Sequence, residues 1–171
     1  MDNLNETRSG RPRVRLTSMK AYNHGLVIAD IAHMPGGICG TWPAFWMVPA
    51  GPNNWPAHGE IDIIEDVNAQ SSNQMTLHSS SGRAIANTEF TGTLVTPNCA
   101  VDPPNHEKNA GCAISDSNPA SYGAEFNADG GGVYAMEWTS DSIKVFFFVR
   151  YHIPFLNILN KGASLLGSVY L

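Results

Sequence analysis

The feature that most narrows the fold is a hairpin legible in residues 133–149. Tyr134, Met136 and Trp138 fall at every second position, Thr139, Ser140 and Asp141 interrupt them, and Ile143, Val145, Phe147 and Val149 resume the alternation. A period of two puts each set on one face of a strand, so the segment predicts two antiparallel strands covering a core. Shorter runs repeat the theme: LVIADI at 26–31 after Gly25, residues 44–48 after Pro43, the Ile- and Val-rich residues 61–67, and 75–78. Stretches rich in Pro, Gly and Asn separate them at 49–59 and 97–132. The second is long for a structureless loop and reads as a surface or active-site insertion, or as cover for strands that alternation does not reveal. With no heptad or internal repeat, many short strands between turns predict an all-β sandwich or barrel. A chain of 171 residues suits one domain with a sizeable core.

Charge and cysteine usage remove several function classes. The formal net charge is −5, against a nucleic-acid partner. No stretch is long and apolar enough to span a membrane, and residues 1–6 lack the apolar region of a signal peptide. Five of the ten basic residues are Arg8, Arg11, Arg13, Arg15 and Lys20; Arg13 to Leu16 alternates as a solvated edge strand would. Cys39, Cys99 and Cys112 show neither C-x-x-C nor zinc-finger spacing, and the six histidines form no H-E-x-x-H, so neither a metal nor any other cofactor is expected. Cys99 and Cys112 flank a loop that a disulfide between them would close.

Four of the fifteen acidic residues, Glu60, Asp62, Glu65 and Asp66, interrupt a hydrophobic β-branched run. Like charges on one strand face repel and resist burial, so such a cluster implies chemistry, a metal such as calcium, or a face open to water. Glu60 and Asp62 share a face by parity. Glu65 points the other way in a regular strand, and a one-residue bulge at Ile63 and Ile64 would bring it back. The Glu60 and Glu65 backbones would then stand roughly 13 Å apart at ~3.3 Å per residue. Side chains leaning inward could bring their carboxyls towards the ~5–5.5 Å of a retaining glycosidase. In such a pair one carboxylate attacks and the other delivers a proton, with Asp62 between them to tune the pair; geometry alone leaves the order open.

Three of the four tryptophans, Trp42, Trp46 and Trp55, precede this cluster within twenty residues. Trp46 and Trp55 are candidate platforms for sugar rings; Trp55 lies in a polar loop, an unusual home for a core residue. Trp42 stays open between core and platform, whereas Trp138 reads as core. His78, on the run 75–78, is a candidate neighbour of the acids, against the alternative of an ordinary half-buried histidine.

Several ordered motifs carry a resemblance: AYNHGLVIADIAHMP at 21–35, GTWPAFW at 40–46, GEIDIIE at 59–65, NQMTLH at 73–78 and GGGVYAMEWTSD at 130–141. Together they resemble glycoside hydrolase family 16, in particular its fungal endo-1,3(4)-β-glucanase, or laminarinase, branch. The resemblance implies a concanavalin-like jelly-roll sandwich of two curved antiparallel sheets. It implies cleavage of β-1,3 and mixed β-1,3/1,4 glucan with retention, by a monomer outside the cell or at its wall. It makes Glu60 the nucleophile, Asp62 its helper and Glu65 the acid/base. E-x-D-x-x-E is the laminarinase form; E-x-D-x-E resembles the plant xyloglucan transglycosylases. The match covers about residues 10–150, so residues 1–150 are read as part of a catalytic domain, incomplete at both ends, and 151–171 as a divergent tail. Asp66 stands where the fungal pattern usually has Gly, and Arg83 where a Cys is common. The competing readings are a non-catalytic glucan-binding sandwich and an inactive fragment.

Overall fold

The computed structural model describes residues 13–86, 89–104, 107–152 and 164–170. Among the described residues, nine strands form two antiparallel sheets. The first sheet has the order β1-β7-β8-β9: β1 (Gly25–Ile31), β7 (Gly132–Trp138), β8 (Ser142–Val149) and β9 (Ser164–Tyr170). The second has the order β2-β3-β4-β6-β5: β2 (Ala44–Met47), β3 (Glu60–Glu65), β4 (Gln74–His78), β6 (Cys112–Ser115) and β5 (Thr93–Thr96). The all-β expectation holds; the one α-helix among the described residues is the short α1 (Gly123–Ala128).

The hairpin forms where the alternation put it. Tyr134 pairs with Phe147, Met136 with Val145 and Trp138 with Ile143. Thr139 closes the turn, its N–H donating to the Ser142 carbonyl and its hydroxyl accepting from the Ser142 N–H. Tyr134, Met136, Ile143, Val145 and Phe147 are buried against Ile61, Ile63, Ile64, Met75, Leu77, Cys112 and Ile114 of the other sheet. Each such aliphatic or aromatic side chain contributes about 1.5–3 kcal/mol when fully removed from water. Phe126 of α1 joins the same cluster and stacks at a tilt on Phe147. Trp138 packs against the core's margin, as expected, edge-on to His24.

Of the two readings of residues 97–132, the structure bears out hidden strands: the stretch contains β6, with a 3-10 turn (Pro119–Ser121) and α1. Cys-Ala-Ile-Ser is too short for a period to register, and its first three residues are buried together. The edge strand expected at Arg13 to Leu16 needs correction: among the described residues the segment pairs with no strand, and Val14 and Leu16 are 85% and 91% exposed. Alternation alone cannot supply a partner for the ladder. Cys99 and Cys112 do form a disulfide, which ties the start of β6 to the preceding loop and leaves Cys39 free and exposed. No helix among the described residues is long and apolar enough to cross a membrane.

Candidate active site

β3 carries the acids, and its register decides where they point. Against β2, Ile61 pairs with Met47 and Asp62 with Trp46; the count then slips, so that Ile64 pairs with Phe45 and Glu65 with Ala44. Ile63 is the extra residue, the one-residue bulge that parity called for. Ala44 and Trp46 share a face of β2, so Asp62 and Glu65 share the facing side of β3, with Glu60 two residues before Asp62. Ile61, Ile63 and Ile64 go to the core instead.

The buried Asn73, just before β4, spans the irregularity. Its Nδ2 donates to the Ile63 carbonyl over 2.8 Å, and its Oδ1 accepts from the Glu65 N–H over 3.1 Å. Across from β3, β4 sets His78 opposite Glu60 and Thr76 opposite Asp62. His78 Nε2 lies 3.4 Å from Asp62 Oδ2, an ion-pair contact longer than a usual hydrogen bond. The His78 ring has room because position 111 is glycine: a Cβ there, at φ +65°, would stand 2.8 Å from the imidazole.

Each glutamate has an indole partner. Trp55 Nε1 donates to Glu60 Oε2, and Trp42 Nε1 donates to Glu65 Oε1 over 2.8 Å. Trp42 lies ahead of β2 rather than on it and is 69% exposed, which rules out the core reading. Trp46 sits half-buried beside the acids, and the Arg15 guanidinium lies 4.5 Å from its ring centroid in a cation–π contact. The exposed N-terminal segment thus reaches the acidic face.

Burial is the largest influence on both glutamates and raises both, and the nearby Asp62 charge adds to it. His78 and the indole hydrogen bonds oppose the rise, and Arg15 also opposes it at Glu60. For His78, burial favours the neutral ring, but the close Asp62 carboxyl, with Glu60 and Glu65, outweighs it and raises the pKa. Asp62 is 0% exposed at the centre of the group. Burial and the Glu65 charge push the neighbouring Asp66 up to about 7, against a backbone hydrogen bond from Gln74.

The structure therefore brings together Glu60, Asp62, Glu65, Trp46, Trp55 and His78. Sequence reasoning did not assign Trp42 or Asn73. Trp42's nearness to Trp46 was a usable signal, whereas an Asn before a strand reads as an ordinary turn residue. Among the described residues, no group of three or more His, Cys, Asp or Glu is arranged to hold a metal ion. The arrangement offers two half-buried carboxyls on one face, flanked by indoles, with a buried carboxyl between them. That is suited to moving one proton and forming one bond at a sugar acetal.

Comparison with known proteins agrees. The family described as XgeA-like, catalytic GH16 domain matches residues 1–164. An endo-1,3(4)-β-glucanase of Arthroderma benhamiae is 49% identical over 150 residues, covering 86% of this chain and 32% of that protein. The solved structure of an elongating family 16 β-1,3-glucosyltransferase superposes with a TM-score of 0.75 at 44% identity, covering 90% of this chain and 51% of that one. Laminarinase 16A from Phanerochaete chrysosporium, solved with 6-O-glucosyl-laminaritriose in its donor and acceptor sites, gives 0.71 at 46% identity, covering 78% and 43%. The chain thus spans about a third of the curated relative's length and about half of each solved chain.

Proposed function

The chain belongs to glycoside hydrolase family 16, and from that membership we propose that it is the catalytic portion of an endo-acting β-1,3(4)-glucanase working with retention of configuration. The observation that carries the reading is the bulged β3, with Glu60, Asp62 and Glu65 on one side and an indole N–H on each glutamate. In the proposed reaction the Glu60 carboxylate attacks the anomeric carbon while Glu65 gives its proton to the departing glycosidic oxygen. Glu65, now ionised, takes a proton from water as that water attacks the same carbon, and Glu60 leaves as a free carboxylate. Both glutamates are shifted the same way, so electrostatics does not order the roles; the order follows the family's motif, which these three positions match.

The Asp62 carboxyl lies beside both glutamates and raises the pKa of each, favouring the form in which one of them holds a proton. Trp46, Trp55 and His78 line the sugar's path, with residues 1–150 as the catalytic part and β9 beyond it continuing the first sheet beside β8. A β-glucan is the partner, met outside the cell by a monomer. The likeness to the glucosyltransferase supports a second outcome, transfer of the glycosyl group to another sugar in place of water.

The test is release of reducing ends from laminarin by this chain, with products followed by NMR. Glu60→Gln and Glu65→Gln should each lower turnover by at least about a hundredfold. The first product should carry the β-anomer, and products longer than the substrate would mark transfer. Laminarin binding with no cleavage by the parent chain would replace this reading with a glucan-binding sandwich, and a melt without cooperativity would replace it with an inactive fragment.

A further inference from the structure

We propose that Asn73 is a positioning residue for Glu65, its side-chain amide clamping the backbone on either side of the bulge and so fixing where the acid/base carboxyl points. The inference rests on the hydrolase reading above.

A bulge leaves ladder groups without strand partners, and here they are the ones beside Ile63. Asn73 meets them with both ends of its amide, donating to the Ile63 carbonyl and accepting from the Glu65 N–H. Only an amide offers donor and acceptor on one carbon at this length; a carboxylate would face the Ile63 carbonyl with a second oxygen. The clamp is itself anchored. The Asn73 N–H donates to Ser121 Oγ over 2.9 Å, and its carbonyl accepts from the Asp116 N–H over 2.8 Å. Ser121 Oγ in turn donates to the Asn118 carbonyl, and the Tyr134 hydroxyl donates to the Ser121 carbonyl. Asn73 and Ser121 are both 0% exposed. An anchored path thus runs from β7 through the 3-10 turn to the bulge. Glu65 is half-buried and held at its far end by the exposed Trp42, so the fixed end of its side chain is its backbone, and Asn73 is what holds that backbone.

An asparagine that only stabilised the fold would affect every substrate alike. One acting through Glu65 would matter only where a proton must be delivered. We therefore compare laminarin, whose leaving sugar needs that proton, with a 2,4-dinitrophenyl β-laminaribioside, whose phenolate leaves without it. For Asn73→Ala, kcat/KM on laminarin should fall at least about a hundredfold, while the dinitrophenyl glycoside stays within about threefold. In a Glu65→Ala background Asn73→Ala should add no further loss. Asn73→Asp, which keeps size and the acceptor, serves where alanine prevents folding and should show the same split. A parallel fall on both substrates, or unchanged laminarin turnover, overturns the proposal.

A 13C titration of the Glu65 carboxyl, which needs no turnover, separates this claim from the one beneath it. With the clamp lost, the Glu65 pKa should move down towards that of an ordinary glutamate. If the parent chain cleaves neither substrate, the hydrolase reading falls, and an unshifted Glu65 titration in folded Asn73 variants overturns the positioning claim separately.

Discussion

Asp66→Asn should stabilise the protein at alkaline pH and destabilise it in acid. Asp66 is 3% exposed, and its Oδ2 has no hydrogen-bond partner among the described residues. The groups facing it are the Glu65 carboxyl, the backbone N–H of Gln74 and Tyr122, whose hydroxyl donates to the Asp66 carbonyl. Burial first, then the Glu65 charge, raises its carboxyl from 3.8 to about 7. The folded protein therefore holds this proton more tightly than the unfolded chain does. The residue costs nothing well below pH 3.8, its cost grows as pH rises through the window up to about 7, and it is fully present above that. At about 1.4 kcal/mol per pKa step, the rise is worth about 4 kcal/mol. Asparagine does not ionise, but it buries a new N–H pair at about 1–3 kcal/mol, leaving a net gain at pH 8 of about 2 kcal/mol. Urea unfolding of both proteins at pH 4 and pH 8 measures this directly, since shared titrations cancel in the difference. The stability difference should swing by about 4 kcal/mol in favour of asparagine between the two. A difference that stays constant with pH would refute the reasoning, because Asp66 would then ionise in the folded state as it does unfolded.

Other outcomes can be stated briefly. Trp42→Phe removes a hydrogen bond that holds the Glu65 pKa down, so the alkaline limb of the kcat/KM profile should move to higher pH. Trp55→Phe does the same at Glu60, so the acid limb should rise, since the nucleophile must be ionised. Gly111→Ala would set a Cβ 2.6 Å from the Leu77 carbonyl oxygen and against His78, at φ +65°. It should cost about 1–3 kcal/mol in a thermal melt and lower activity in the material that stays folded. Reduction of the Cys99–Cys112 disulfide should lower the melting temperature, since the loop it closes is worth about 3 kcal/mol.

How much was legible in the sequence depended on period. β7 and β8 were readable because seven or eight residues alternate in register with a polar turn between them. The bulge was readable because two glutamates five apart cannot share a face without one. β5 and β6, four residues each, were not: Thr-Leu-Val-Thr is largely exposed and Cys-Ala-Ile-Ser largely buried, so neither shows two contrasting faces. Arg13 to Leu16 had alternation with no partner. Asn73 escaped because its role lies in what its amide meets eight and ten residues back, and no local pattern encodes that. Trp42 was left open because its function depends on reaching a strand from a loop.

The bulge has a consequence for insertions and deletions. Losing one residue from an ordinary strand sends everything beyond it to the opposite side. Losing Ile63 would instead spell Glu-Ile-Asp-Ile-Glu, in which an unbroken strand keeps both glutamates facing the sugar. The longer and shorter spellings are thus equivalent in side and separated by a single codon. What differs is the socket beneath: the straightened strand pairs its own carbonyl and N–H, and the buried amide at position 73 loses both partners. A chain that drops the extra isoleucine must change residue 73 with it, so the two positions should vary together.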